Sequence, residues 1–153
     1  MAIASLRAAA LVLAAALVPV AAAAAAKPFA GPGAGWEHTV VATASAQSPR
    51  AQETWKKGGE LLALLSDGGL AYDDIIGMVR KNVADNGLKP AVDRDRTCDG
   101  RRAHEVELTF GTSVVHQIIV DDAPGVTKVT YTRPVGTPVG ADATGALAAY
   151  CGP

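Results

Sequence analysis

Between residues 88 and 133 four strand-like runs follow one another across very short turns, and this spacing limits what the chain can fold into more than any other feature. The runs are 88–94, 101–110, 113–121 and 126–133. They are separated by Cys98-Asp99-Gly100, Gly111-Thr112 and Asp122-Ala123-Pro124-Gly125. Parallel neighbours need a crossover of a dozen or so residues, so runs this close must form an antiparallel meander. Gly111-Thr112 fits a two-residue hairpin, and Asp-Ala-Pro-Gly supplies ordinary turn chemistry. With that hairpin, Phe110 falls opposite Ser113 and Glu107 opposite His116. Val106, Leu108 and Phe110 then share a face with Val115 and Ile119. The other face carries Glu105, Glu107 and Thr109 on one strand but Val114, Ile118 and Val120 on the next. A strand that is apolar on both sides is covered on both sides.

The covers are also visible in the sequence. Tyr72, Ile75, Ile76, Val79 and Val83 form one helical stripe over residues 72–86. Asp73 and Asp74 lie in the first turn, where the helix dipole favours negative charge. Arg80 and Lys81 lie towards the other end, and Gly87 is placed to end the helix as a left-handed cap. Residues 141–150 read as a short second helix after the Pro/Gly loop 134–140. Upstream, residues 36–44 alternate as a strand. Leu61, Leu62, Leu64 and Leu65 make 60–66 a buried strand. Residues 45–59, with Pro49 and Gly58-Gly59, read as a loop anchored by Trp55. The expected fold is α+β: an antiparallel sheet of about six strands, a long helix on one face, and the short C-terminal helix with the Trp55 loop on the other, an α/β/α sandwich.

The N-terminus speaks to compartment. Residues 1–26 hold one positive charge at Arg7, an Ala/Leu/Val run, Pro19 and a small-residue ending. That order is a secretory signal peptide cleaved after Ala26. A retained anchor would need roughly 20 apolar residues, but alanine is weakly hydrophobic and Pro19 favours cleavage. Residues 27–35 read as a flexible leader and 36–153 as a single domain. Removing Arg7 leaves 13 of the 14 basic residues against 15 acidic ones, a formal charge of −2. That balance argues against nucleic-acid binding, which shows a basic patch or stripe. Two cysteines, Cys98 and Cys151, in an exported chain imply a disulfide. A nucleophilic Cys98 would need a neighbouring base and a depressed pKa, and nothing local provides either.

The element order resembles the PsbP-type fold of the photosystem II extrinsic proteins, which also occurs in a nuclear Ran-binding protein and in exported bacterial proteins. Ala71-Tyr72-Asp73-Asp74-Ile75-Ile76 at the helix start is similar to those families. So are Asp99-Gly100-Arg101-Arg102-Ala103-His104-Glu105-Val106-Glu107 and Val115-His116-Gln117-Ile118-Ile119-Val120. The resemblance spans residues 36–131. It implies the same sandwich and mostly non-catalytic binding or assembly roles. It names no ligand, transfers no functional residue and does not include the cysteine pair.

Candidate chemistry is sparse. Glu107 and His116, opposite each other, are a possible metal pair. Zinc wants three or four protein ligands, and only Glu105 and Thr109 stand nearby; the competing reading is a cross-strand ion pair. His104 points to the opposite face. Asp93, Asp95 and Asp99 before Gly100 faintly resemble a calcium loop. Thr97 and Cys98 break that pattern, and Arg94 and Arg96 would repel a cation, so a charged turn is the simpler reading. Asp121 and Asp122 are candidate acid/base carboxylates but also ordinary turn formers. Neither Gly58-Gly59 nor Gly68-Gly69 completes a phosphate loop. His38, His104 and His116 are dispersed. Any of Trp36, Trp55, Tyr72, Tyr131 and Tyr150 left exposed would mark a contact patch. The functional expectation is an exported, monomeric, non-enzymatic module, secreted or periplasmic. It would carry no cofactor and bind a protein partner or small ligand at the cell envelope, with no nucleic acid and no stable membrane span. The alternative is an enzyme or metal-dependent protein using Glu107 and His116.

Overall fold

The computed structural model describes residues 28–152; the expected signal, residues 1–26, lies outside the described residues. The element order is β1 (Glu37–Ala42), β2 (Arg50–Lys57), β3 (Glu60–Asp67), α1 (Tyr72–Asp85), β4 (Val92–Cys98), β5 (Arg101–Phe110), β6 (Ser113–Asp122), β7 (Gly125–Pro134) and α2 (Ala141–Cys151). The strands form one antiparallel sheet in the order β1-β2-β3-β7-β6-β5-β4.

Tight turns dictate most of that order. Lys57 pairs with Glu60, Cys98 with Arg101, Phe110 with Ser113 and Asp122 with Gly125, so four hairpins close over two residues each. At Asp99-Gly100 both φ angles are positive, 53° and 75°. That is the turn whose twist matches the flanking strands. Glu107 pairs with His116, the register the Gly111-Thr112 turn implies. β7 then seats itself on β3. A side chain at Gly125 would put its Cβ 2.1 Å from the Asp67 carbonyl oxygen, so only glycine permits the approach.

The expectation of about six strands in an α/β/α sandwich is corrected. Among the described residues there are seven strands, and the two helices, of 14 and 11 residues, cover too little of the sheet to form a layer on either face. The additional strand is β2, which falls in the segment expected to be a loop. Its sequence, RAQETWKK, has one large apolar residue and little alternation. It is a strand because all eight residues pair with β3. β4 begins later than expected, at Val92. Before it, the helix terminator uses Gly87 at φ 59°, with the Gly87 N–H on the Ala84 carbonyl and the Leu88 N–H on the Val83 carbonyl, a Schellman arrangement. In the segment expected to be a flexible leader, the Phe29 ring packs edge-on against Trp55 at 5.2 Å and Tyr150 at 5.6 Å.

The two helices cover patches only. α1 sits over the β4–β6 part of the sheet, where Val79 and Val83 line a crevice with Val106, Leu108 and Val115. Ile76 is the buried member of its stripe. Arg102 fastens its start, bonding Asp121 at 2.8 Å and Asp73 at 3.3 Å and lying over the Tyr72 ring. On the same surface of β3, Leu61, Ala63 and Leu65 stay half-buried. Across the sheet, Ala143, Ala146 and Tyr150 of α2 join Trp36, Trp55, Leu62, Ile118, Val120, Val129 and Tyr131 in the main core. The Cys98 and Cys151 sulfurs are bonded, tying the end of α2 to the end of β4.

Candidate functional site: a charged floor beside the C-terminal helix

α2 crosses the sheet obliquely because its two ends are anchored on different strands. Asp142 in its first turn accepts from Lys57 of β2 at 2.7 Å and from the Trp36 indole at 3.4 Å. Its last turn is held by the disulfide, and the Asp99 N–H donates to the Cys151 carbonyl at 2.9 Å. An oblique helix leaves one corner of the sheet open. There a cavity of about 420 Å³ lies between the helix flank and strands β4, β5 and β6. Its sheet side is Arg96, Glu105, Glu107, His116 and Ile118; its helix and loop side is Val139, Thr144, Leu147, Ala148 and Gly152. One wall is charged and the opposing wall largely apolar.

The floor follows from strand parity. Arg94 pairs with Glu105 and Glu107 with His116, so alternate residues of three adjacent strands project to one surface. Glu105 is buried, at 5% exposure. Arg94 places Nε at 2.8 Å and Nη2 at 2.7 Å from its Oε2. His116 Nε2 stands 2.8 Å from Oε1. Arg96 Nη1 reaches the same Oε2 only at 3.3 Å. Glu107 is met by Arg133 at 3.4 Å. A buried carboxylate this well partnered stays charged without the cost of an unpaired ion.

Burial would push the Glu105 carboxyl up. The hydrogen bonds from Arg94 and His116, with the charges of His116 and Arg96, outweigh it and hold it below the usual glutamate range. Its stabilisation is therefore complete above the ordinary value of about 4.3 and disappears as pH falls through the lower folded value. In urea titrations the stability gap between wild type and Glu105→Gln should be widest near neutrality and close as pH drops below about 4. Asp67, Asp95 and Asp142 are also held low by their donors. They act in both proteins and cancel in the comparison. A gap of equal size at neutral and acid pH would show that these partners do not hold the carboxylate.

The other sequence candidates separate. Glu107 and His116 share the floor, but His116 turns diagonally to Glu105 and Glu107 turns to Arg133. Among the described residues no group of three or more His, Cys, Asp or Glu is disposed to hold a metal ion. Asp93 and Asp95 flank buried His104 on the opposite surface, at 3.1 and 2.9 Å from its two ring nitrogens, and Asp99 is away in the β4–β5 turn. Asp121 bonds Arg102, whereas Asp122 bonds Arg101 and the Tyr150 hydroxyl. His38 stacks on Trp55 and meets Glu53 at 2.7 Å. Trp36, Trp55, Tyr131 and Tyr150 are all buried and Tyr72 half-buried, so these aromatics form no contact patch.

Arg94, Arg96 and Arg133 were not among the residues expected to build a site. The signal for two of them was present: arginines two apart facing glutamates two apart share one surface once both segments are strands. With the strand placed at 88–94, Arg94 stands at its last position and Arg96 beyond it, and both read as charges interleaved with the aspartates of a charged turn. No protein-family model matches the chain, and no curated protein matches it.

Proposed function

We propose that this chain is an exported, non-enzymatic module that binds a small ligand in the cavity between α2 and the β4–β6 floor. The observation that carries the reading is the cavity itself. At about 420 Å³ it falls within the 300–1,000 Å³ of small-molecule sites, and it pairs an apolar wall with a few convergent polar groups as such sites do. The disulfide suits an oxidising compartment, in keeping with the signal read over residues 1–26. The patterns at 71–76 and 99–107 that resemble PsbP-type proteins point towards binding rather than catalysis.

The test uses a neutral apolar fluorophore, N-phenyl-1-naphthylamine, so that charge plays no part. Saturable, single-site enhancement is expected with wild type. It should be lost in Ala148→Trp, which fills the cavity from the exposed flank of α2, and kept in Ala149→Trp, one residue along and outside the lining. Circular dichroism checks that both variants stay folded. No enhancement, or enhancement indifferent to Ala148→Trp, would overturn the reading.

A further inference from the structure

Resting on that reading, we infer that the cavity selects a carboxylate with a compact apolar body, its head group received by Arg96. The floor's charges are unequally committed. Glu105 is saturated: two nitrogens of Arg94 share one oxygen and His116 takes the other. Arg96 arrives as a third donor on an occupied oxygen, at 3.3 Å, and its Nε reaches the Thr97 carbonyl only at 3.4 Å. Of the three arginines of this cluster, Arg96 alone lines the cavity, and its side chain is 25% exposed.

Charge counting agrees. Arg94 and Arg133 lie outside the lining and neutralise Glu105 and Glu107. That leaves the Arg96 guanidinium in surplus among the three arginines and two glutamates. A cationic ligand would have to compete with arginines already on both glutamates. An anion meets a planar donor fork whose existing bonds are long, and guanidinium matches carboxylate bidentately. Ile118, Leu147 and Ala148 would take the apolar body. Val139 at the rim, 43% exposed, is an apolar residue that such a ligand would cover.

The experiment compares three probes of one chain length, octanoate, octanamide and octylammonium, by isothermal titration of the purified protein at low salt and neutral pH. Octanoate is expected to bind at least about tenfold tighter than either of the others, as a charge-assisted pair requires. Arg96→Gln should erase that preference by weakening octanoate far more than octanamide, and Arg96→Lys should restore part of it. Equal affinities for all three, or a preference surviving Arg96→Gln, would overturn the carboxylate assignment. If the probes still displaced N-phenyl-1-naphthylamine, the cavity reading would stand in that case. Failure of all three probes together with the fluorophore would remove both.

Discussion

Replacing Cys98 by serine is expected to lower the unfolding free energy by about 4 kcal/mol, because the bond closes a loop of 53 residues whose freedom it removes from the unfolded chain. Cys151→Ser should cost the same, and the double variant no more than either single one, since all three lose one cross-link. Urea denaturation of the three variants measures this. Unequal single losses, or a double loss near their sum, would show that the cysteines act separately. The bond also fixes where α2 ends. Asp142 still holds the other end to Lys57 and Trp36, but without the bond the cavity's helical wall is hinged rather than clamped. The variants should therefore bind N-phenyl-1-naphthylamine more weakly even under conditions where they remain folded.

Leu62→Ala should cost about 2–5 kcal/mol, and Leu61→Ala clearly less. The two are chain neighbours on opposite surfaces of β3. Leu62 is wholly buried and lies between Trp55 and Tyr131 on adjacent strands. Leu61 pairs with Lys56 and Thr132 on the surface that α1 covers only in part, and it is half-buried. Deleting Leu62 leaves a void lined by two fixed aromatic rings, which cannot relax into it as a mobile surface chain would. Thermal and urea unfolding of both variants decide the matter. Equal losses, or a larger loss at Leu61, would mean that β3 pairs one residue out of the described register, because a single step exchanges its faces.

Local chemistry was legible wherever the answer lay within a few residues. The stripe from Tyr72 to Val83 marked α1, and Gly87 marked its end. Gly111-Thr112 carried the register that sets Glu107 against His116. Strand β2 was not legible because its place is determined by its neighbours. Gln52, Thr54 and Lys56 face one way and Ala51, Glu53 and Trp55 the other, so no apolar face betrays it. Its backbone donors and acceptors are satisfied by β1 and β3 all the same. Phe29 was illegible for a related reason. One aromatic residue among Gly, Pro and Ala has no period, and only the meeting of Trp55 and Tyr150 gives it somewhere to pack.

The candidate site divides along the same line. By itself the sequence determined that Glu105, Glu107 and His116 project to one surface and His104 to the other, since side chains alternate along a strand once its turn is known. It also pointed to the cysteine pair, because the chain holds two cysteines and these have only each other to bond. Which donor meets which carboxylate was decided by the tertiary structure. His116 passes over its directly opposed Glu107 for Glu105, and Arg133 arrives from β7 to take Glu107. The cavity was decided there too. It exists because α2 is anchored at β2 and at β4 and so crosses the sheet aslant. The angle of a helix on a sheet depends on contacts distant in sequence, here Lys57 with Asp142 and Cys98 with Cys151, which no local pattern encodes.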